Sequence, residues 1–183
     1  MSYGYGMAST PLQMIAGVNT VANKGIYVAP QLVSATIDKA GKRLPVAPSK
    51  TRVVLKPEVA ASMTDMLREV ICTGTGELAQ VKGMQIAGKT GTGYKVQSNG
   101  TYSTDAGGRK YFASFVGYFP AANPQVTMLV SIDEPDASSR DRFGGTAAAT
   151  VFARLVPGIM HELDIEATGA GTGCKAGAKS AGH

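Results

Sequence analysis

The sequence has no tryptophan, only two cysteines among 183 residues, and no apolar run near the ~18 residues that a membrane-spanning helix needs. Two cysteines, of which Cys174 stands in a Gly/Ala-rich tail, predict neither a disulfide framework nor a zinc site. The first residues are not a charged segment followed by an apolar stretch. As written, the sequence therefore predicts a soluble chain without an export signal or a membrane anchor.

Charged residues are also few, at 17%, and the net charge of +5 comes from basic residues that are scattered along the chain. This pattern predicts a solvated surface and no nucleic-acid partner. The hydrophobic fraction of 44% is typical of a globular domain with a buried core. We expect one domain over residues 1–166, followed by a disordered tail over 167–183, because Gly, Ala, Lys and Ser bury little surface.

The apolar pattern predicts helices packed on an antiparallel sheet. A loop over 1–6 precedes a helix in which Thr10, Pro11 and Gln13 have the positions of an N-cap, a first-turn proline and a capping-box partner. This helix is expected to stop at Gly25, and a second helix to begin at Pro57. Extended segments are predicted over 27–37, 52–55, 84–92, 111–119 and 125–132, the last two as a hairpin. A final helix follows Gly144-Gly145, with a buried stripe formed by Phe152, Leu155, Val156, Ile159, Met160 and Leu163.

Residues 83–90 match the phosphate-loop pattern GxxxxGK[ST]. The apolar run 126–133 followed by Glu134 imitates the strand and carboxylate that hold magnesium in nucleotidases. A phosphate loop must open a helix, whereas Thr90 is followed by Gly91, Thr92 and Gly93 and then by a polar segment. A nucleotidase therefore remains a lesser alternative.

The end of a strand explains Lys89-Thr90-Gly91-Thr92 better. Side chains alternate along a strand, so Thr90 and Thr92 share one face and can bind a carboxylate together. The Thr92 backbone N–H of an edge strand can donate to an oxyanion, Lys89 adds a positive charge, and Gly91 permits close approach. This combination is typical of one side of an acyl-transfer site.

Further motifs support this interpretation. They occur in the order Ser2-Tyr-Gly-Tyr-Gly6, Thr10-Pro-Leu-Gln13, Asn23-Lys-Gly25, Gly74-Thr-Gly76, Ala87-Gly-Lys-Thr-Gly-Thr92, Phe112-Ala-Ser-Phe-Val-Gly-Tyr-Phe-Pro120 and Gly144-Gly145. Together they resemble the C-terminal part of the transpeptidase domain of class B penicillin-binding proteins, in particular the cell-division type. The resemblance runs from Ser2 to Leu163. It implies the α+β fold shared with serine β-lactamases.

The family uses three motifs, SxxK with the nucleophilic serine, SxN and KTG, and only the third occurs in this sequence. Ser114 and Ser131 lie in predicted strand interiors, where a structural role is expected. His161 lies on the last helix and His183 ends the tail, so neither is a good candidate base. We therefore expect a fragment that lacks the nucleophile and is inactive alone.

The resemblance implies a serine-type D-Ala-D-Ala transpeptidase that cross-links stem peptides in cell-wall and septum synthesis. Lys89 and Thr92 would be catalytic, and Thr90, Gly91 and Thr92 would bind the substrate. The implied partners are peptidoglycan stem peptides, β-lactam antibiotics, the missing N-terminal half of the domain and divisome proteins, and no metal or organic cofactor is implied. The parent protein would work at the extracytoplasmic face of the cell membrane. A β-lactam-hydrolysing or β-lactam-sensing relative and a non-catalytic binding fragment remain alternatives.

Overall fold

The computed structural model describes residues 9–136 and 138–174, and in them three helices surround a three-stranded antiparallel sheet. The helices are α1 (Pro11–Ala22), α2 (Pro57–Cys72) and α3 (Ala149–Glu162). The strands are β1 (Ile26–Val28), β2 (Ala35–Ile37), β3 (Arg43–Pro45), β4 (Thr51–Val53), β5 (Ala87–Tyr94), β6 (Tyr111–Phe119) and β7 (Val126–Asp133). Short helical turns occur at Glu77–Ala79, Arg140–Arg142 and Gly144–Ala148. The predicted α+β class is confirmed.

The main sheet has the order β5-β6-β7, and both pairs are antiparallel. The predicted β6–β7 hairpin is confirmed. In the described part of the chain β5 pairs only with β6, so its other edge is open. The ladder continues beyond β5, where the Lys95 N–H donates to the Lys110 carbonyl at 2.9 Å. An edge strand of this kind can present backbone groups to a ligand.

Aromatic side chains fill the layer between the sheet and α3. The Phe152 ring meets Phe115 edge-on at 4.7 Å between centroids and Phe119 at 6.0 Å, and none of the three is exposed. Tyr118 is also fully buried, in a second cluster with Ala22 and Ala87, and its hydroxyl bonds to Thr64 at 2.8 Å. The sheet is thus covered on both faces, which fixes the position of β5. Two members of the predicted stripe on α3 are exposed instead, Leu155 at 46% and Leu163 at 57%.

The first helix begins as the sequence predicts. The Gln13 N–H donates to Thr10 Oγ1 at 3.2 Å, and the Thr10 N–H donates to Gln13 Oε1 at 2.8 Å. The helix ends at Ala22 rather than at Gly25. Gly25 has φ +87°, and a Cβ at this position would collide with the Leu55 carbonyl. The Gly25 carbonyl accepts hydrogen bonds from the N–H groups of Val54 and Leu55. Gly25 therefore joins the end of α1 to the segment that precedes α2.

Residues 26–56 contain two small two-stranded sheets, and no residue of this segment is buried. β1 pairs with β4, and β2 pairs with β3, each over three residues. The prediction of a single strand over 27–37 is wrong, because the strand is interrupted between Val28 and Ala35 around Pro30. Proline lacks the N–H that a continuous ladder needs.

The two cysteines form one disulfide, Cys72–Cys174, which the sequence interpretation did not predict. The Thr168 N–H donates to the Gly83 carbonyl at 2.7 Å, and the Gly83 N–H donates to the Gly171 carbonyl at 3.0 Å. These bonds hold the segment 168–171 against Gly83, and the disulfide joins Cys174 to the last residue of α2. The disordered tail remains a prediction for residues 175–183, including His183, which lie outside the described residues, as does the loop predicted over 1–6.

Candidate active site

Lys89, Thr90, Gly91 and Thr92 lie within β5, at its open edge. Lys89 is exposed, yet its Nζ donates back to the Thr90 carbonyl at 3.1 Å and to Thr90 Oγ1 at 3.3 Å. The ammonium group is thus directed around the strand edge towards the hydroxyl of its neighbour. A positive charge in this place polarises that hydroxyl.

The phosphate-loop alternative is contradicted by the backbone. Residues 87–94 pair one by one with residues 118–111 of β6, so Lys89 and Thr90 lie in mid-strand. No helix begins after Thr90, because β5 continues to Tyr94. The chain therefore offers neither the wrapped loop nor the helix N-terminus that a phosphate would need.

Beside β5 a half-open cleft of about 460 Å³ runs between the strand and two glycine-containing segments. It is lined by Gly74, Thr75, Glu77, Leu78, Thr90, Thr92, Phe143, Gly145 and Thr146. Thr90 and Thr92 both open into it, as expected for alternate residues of one strand. The lining of the cleft thus combines threonine hydroxyl groups with the apolar side chains of Leu78 and Phe143.

Thr75 faces Thr90 across this cleft. The two hydroxyl oxygens lie 2.7 Å apart and share a hydrogen bond. Thr75 follows the end of α2, and its segment is held by the Gly76 N–H, which donates to the Val70 carbonyl at 3.0 Å. The sequence interpretation treated Thr75 only as part of a Gly-Thr-Gly signature. The signal that it missed is a threonine between two glycines at a helix end.

Thr92 is held from the other side. Its Oγ1 accepts from the Gly144 N–H at 3.0 Å, so the hydroxyl proton is free to point to a further acceptor. A Cβ at Gly144 would collide with the carbonyl oxygens of Gly91 and Ser114, and one at Gly145 with that of Thr75. The glycine pair therefore permits the close packing that closes the cleft.

The backbone of β5 also presents a donor. Gly91 opposes Ser114, and its carbonyl faces the Ser114 hydroxyl at 3.5 Å, on the side of β6. Successive residues of a strand direct their amide groups to alternate sides. The Thr92 N–H is accordingly directed to the open edge, next to the cleft.

An ionic cluster connects all three strands at the far end of β5. Lys95 Nζ lies 2.8 Å from both Asp133 and Glu134, and Lys110 Nζ lies 2.8 Å from Glu134. Hydrogen bonds from Lys110 and then Lys95 lower the pKa of Glu134 to about 2, and those from Lys95 to Asp133 and Glu134 raise the pKa of Lys95. The cluster fixes the two ends of the segment 95–110, which connects β5 to β6, relative to Thr92.

Arg142 supports the apolar wall. Its guanidinium lies 4.6 Å from the ring centroid of Phe143 and 5.6 Å from that of Tyr111, and its Nη1 donates to the Ser139 carbonyl at 2.7 Å. Its Nε is buried without a hydrogen-bond partner. These contacts hold Phe143, which lines the cleft, by cation–π attraction.

The other candidates lie apart from this arrangement. Ser114 donates its hydroxyl to Gly91, and Ser131 opposes Ser114 on β7, so both are strand residues as expected. His161 lies in the last turn of α3, in a shallow groove with Asp164 and Glu166. Among residues 9–136 and 138–174, no group of three His, Cys, Asp or Glu side chains could hold a metal ion.

The chain belongs to the penicillin-binding protein transpeptidase family. The profile of the penicillin binding protein transpeptidase domain matches residues 1–157. The chain is 30% identical over 167 residues to stage V sporulation protein D of Bacillus subtilis, covering 90% of this chain and 25% of that protein. It is 31% identical over 175 residues to peptidoglycan D,D-transpeptidase FtsI of Escherichia coli, covering 95% of this chain and 27% of the relative.

Solved structures agree with this assignment. Penicillin binding protein 3 of Mycobacterium tuberculosis superposes with a TM-score of 0.78 at 30% identity, over 91% of this chain and 38% of the other. Structures of the same protein with aztreonam and with ampicillin each give a TM-score of 0.77. The chain thus spans about a quarter of the length of its curated relatives. The alternative of a β-lactamase-like or β-lactam-sensing relative is not favoured.

Proposed function

We propose that this chain forms the Lys-Thr-Gly-Thr wall of the active site of a peptidoglycan D,D-transpeptidase. The observation that carries the proposal is the cleft that Thr90 and Thr92 line at the open edge of β5, with Lys89 Nζ donating to the Thr90 hydroxyl. The family of the chain and its likeness to transpeptidases support it. The substrate class is the D-Ala-D-Ala end of peptidoglycan stem peptides, which β-lactams imitate.

Thr90 and Thr92 bind the terminal carboxylate of this substrate. Thr92 already accepts a hydrogen bond from Gly144, which leaves its O–H as a donor for the carboxylate. Thr90 shares its bond with Thr75, so a carboxylate can receive the second donor from this pair. Hydrogen bonds of this kind to an anion contribute about 1.5–3 kcal/mol each.

The Thr92 N–H and Lys89 act on the reacting centre. A serine hydroxyl attacks the carbonyl carbon of the D-Ala-D-Ala bond, and the carbonyl oxygen gains negative charge as the tetrahedral intermediate forms. The Thr92 N–H at the strand edge donates to that oxygen. Lys89 stabilises the same anionic charge and orients the Thr90 hydroxyl through its 3.3 Å contact. The C–N bond then breaks, D-Ala leaves with a proton, and an amine of a neighbouring strand takes the acyl group.

The nucleophile comes from residues of the parent protein that are not in these 183. The sequence contains neither SxxK nor SxN. Ser114 and Ser131, the serines considered as candidates, oppose each other inside the sheet. The chain alone is therefore inactive on this proposal, and the missing half of the domain supplies the serine and covers the cleft.

We also propose an extracytoplasmic location for the parent protein and a role with divisome proteins. The Cys72–Cys174 disulfide supports a location outside the cytoplasm, because such bonds persist in oxidising compartments. The likeness to a cell-division transpeptidase supports the divisome role. In the described residues no helix is long and apolar enough to cross a bilayer.

The test is covalent labelling with a fluorescent penicillin. We expect no adduct on the isolated chain and a serine ester on the full-length protein, detected by gel fluorescence and located by peptide mass spectrometry. Lys89→Ala and Thr92→Val in the full-length protein should each slow acylation, by roughly tenfold to a hundredfold, the cost of one hydrogen bond to a charged group. Lys82→Ala, an exposed lysine outside the cleft, is the matched control and should label at the wild-type rate.

Two results would contradict the proposal. A covalent adduct on the isolated chain would show that it carries its own nucleophile. Wild-type labelling rates in both Lys89→Ala and Thr92→Val would show that the side chains of β5 neither bind the carboxylate nor supply the active-site charge. Circular dichroism of each variant separates loss of reaction from loss of folding.

A further inference from the structure

The net positive charge of the chain lies in one small part of it, contrary to the scattered distribution expected from the sequence. Residues 24–56, which we name the basic module, hold seven basic residues and one acidic residue, a net charge of +6. The other 150 residues hold 11 basic and 12 acidic side chains and are nearly neutral. The basic residues are Lys24, Lys39, Lys42, Arg43, Lys50, Arg52 and Lys56.

The basic module also holds the three most exposed large apolar side chains of the described residues. Leu32 is 88% exposed, Ile37 74% and Val53 73%. Ile37 lies beside Arg43 on one face of the β2–β3 hairpin, and Leu44, 41% exposed, lies on the other face. The same segment therefore presents both cations and aliphatic side chains to its surroundings.

We propose that the basic module docks on an anionic phospholipid surface. The ammonium groups of lysine and the guanidinium groups of arginine bind lipid phosphates. The aliphatic side chains enter the boundary between headgroups and acyl chains. Lys39, Lys42 and Arg43 surround the turn of the β2–β3 hairpin, next to Ile37. The hairpin therefore carries both kinds of group at its tip.

A bilayer fits these residues better than a nucleic acid or a folded protein. Bases stack on aromatic rings, but the only aromatic residue of the module is Tyr27, whose ring is covered by Arg52 at 5.7 Å. A tight protein interface needs anchors in a packed pocket. Leu32, Ile37 and Val53 do not line any of the described cavities and project separately. In a bilayer, each exposed aliphatic side chain can insert by itself and needs no matching pocket.

The test is cosedimentation of the chain with vesicles. We expect binding to vesicles of phosphatidylglycerol and phosphatidylcholine and none to phosphatidylcholine alone. Each basic residue near an anionic surface strengthens binding about fivefold, so Lys39→Glu, Lys42→Glu and Arg43→Glu together should weaken it by at least roughly a hundredfold. Lys82→Glu, Arg140→Glu and Arg154→Glu change the net charge equally, at exposed positions outside the module, and should lower binding less than tenfold.

A second pair of variants tests the apolar contribution. Ile37→Ser should lower the binding that remains at high salt, where the Debye length falls from ~10 Å to ~3 Å, whereas Leu163→Ser should not. Equal loss of vesicle binding in the two triple charge-reversal variants, inside and outside the basic module, would overturn the proposal, because net charge alone would then explain the binding. So would binding to soluble polyglutamate but not to vesicles, which would indicate an acidic protein partner. Thermal unfolding of each variant checks that the fold is retained.

Discussion

The Cys72–Cys174 bond gives the most direct test of the fold. Its cysteines are 102 residues apart in the sequence, so the bond restricts more than half of the unfolded chain. Cys72→Ser with Cys174→Ser, or reduction of the wild type, removes this restriction. The folded state keeps the backbone bonds from Thr168 and Gly83. We therefore expect the loss to act mainly through the unfolded state.

The size of the effect follows from the length of the loop. The chain-entropy relation gives about 4.7 kcal/mol for a loop of roughly 100 residues, and typical measured values are about 2–4 kcal/mol. For a domain of this size that corresponds to a fall in the thermal midpoint of about 5–15 °C. Because domains are stable by only about 5–15 kcal/mol, reduction removes a large share of the total.

The loss of stability is measured by urea unfolding in the presence and absence of a reductant, with circular dichroism as the signal. The double variant serves as its own control, because the reductant should not change its midpoint. If oxidised and reduced wild type unfolded at the same urea concentration with the same slope, the 72–174 pairing would be refuted.

The same bond has a local consequence for the cleft. Cys72 is the last residue of α2, and Thr75 follows three residues later. Gln80 Nε2 donates to the Ile71 carbonyl at 2.8 Å and ties the same helix end from inside. Reduction should thus accelerate amide exchange over 73–76 more than over β6, whose amides are protected by the core. Equal acceleration in both places would show that the bond stabilises the fold only globally.

Three further predictions concern single residues. In the full-length protein Thr75→Val should slow penicillin acylation about 2- to 12-fold through loss of its bond to Thr90, and Thr75→Ser should restore the rate measured by fluorescent labelling. Gly145→Ala should destabilise the chain by about 1–3 kcal/mol in urea unfolding, since its Cβ meets the Thr75 carbonyl, whereas Gly17→Ala in open space on α1 should stabilise it. The pKa of Glu134 is about 2 in the folded chain, below its ordinary 4.5, so its contribution to stability is present above pH 4.5 and is lost as pH falls to about 2. The unfolding midpoint of Glu134→Gln should therefore fall less between pH 4.5 and about 2 than that of the wild type. Parallel pH profiles of the two proteins would contradict this prediction.

The sequence predicts the features that depend on neighbouring residues. The start of α1 needs only Thr10, Pro11 and Gln13, which act within one turn, and the structure has the expected capping box. The strand character of residues 87–92 could be predicted because two glycines after Lys89-Thr90 exclude a helix start. The β6–β7 hairpin follows from a short link between two apolar runs.

Features that depend on distant residues could not be predicted in this way. Cys174 meets Cys72 because Thr168 and Gly171 bond to Gly83, and no local pattern in a Gly/Ala-rich segment indicates such bonds. A tail that looks unable to bury surface by itself can still be ordered when another segment offers backbone partners.

The candidate site combines features set by neighbouring residues with features set by distant residues. Lys89 and the two threonines can be selected from the sequence, but the state of their hydroxyls is set by Thr75, 15 residues before Thr90, and by Gly144, 52 residues after Thr92. Because Gly144 donates to Thr92 and Thr75 bonds to Thr90, each hydroxyl has one of its hydrogen-bonding positions occupied before a substrate arrives. A donor that is already oriented loses less entropy on binding an anion than a freely rotating one. The tetrapeptide thus supplies the functional groups, and the segments at both sides of the cleft decide where those groups point.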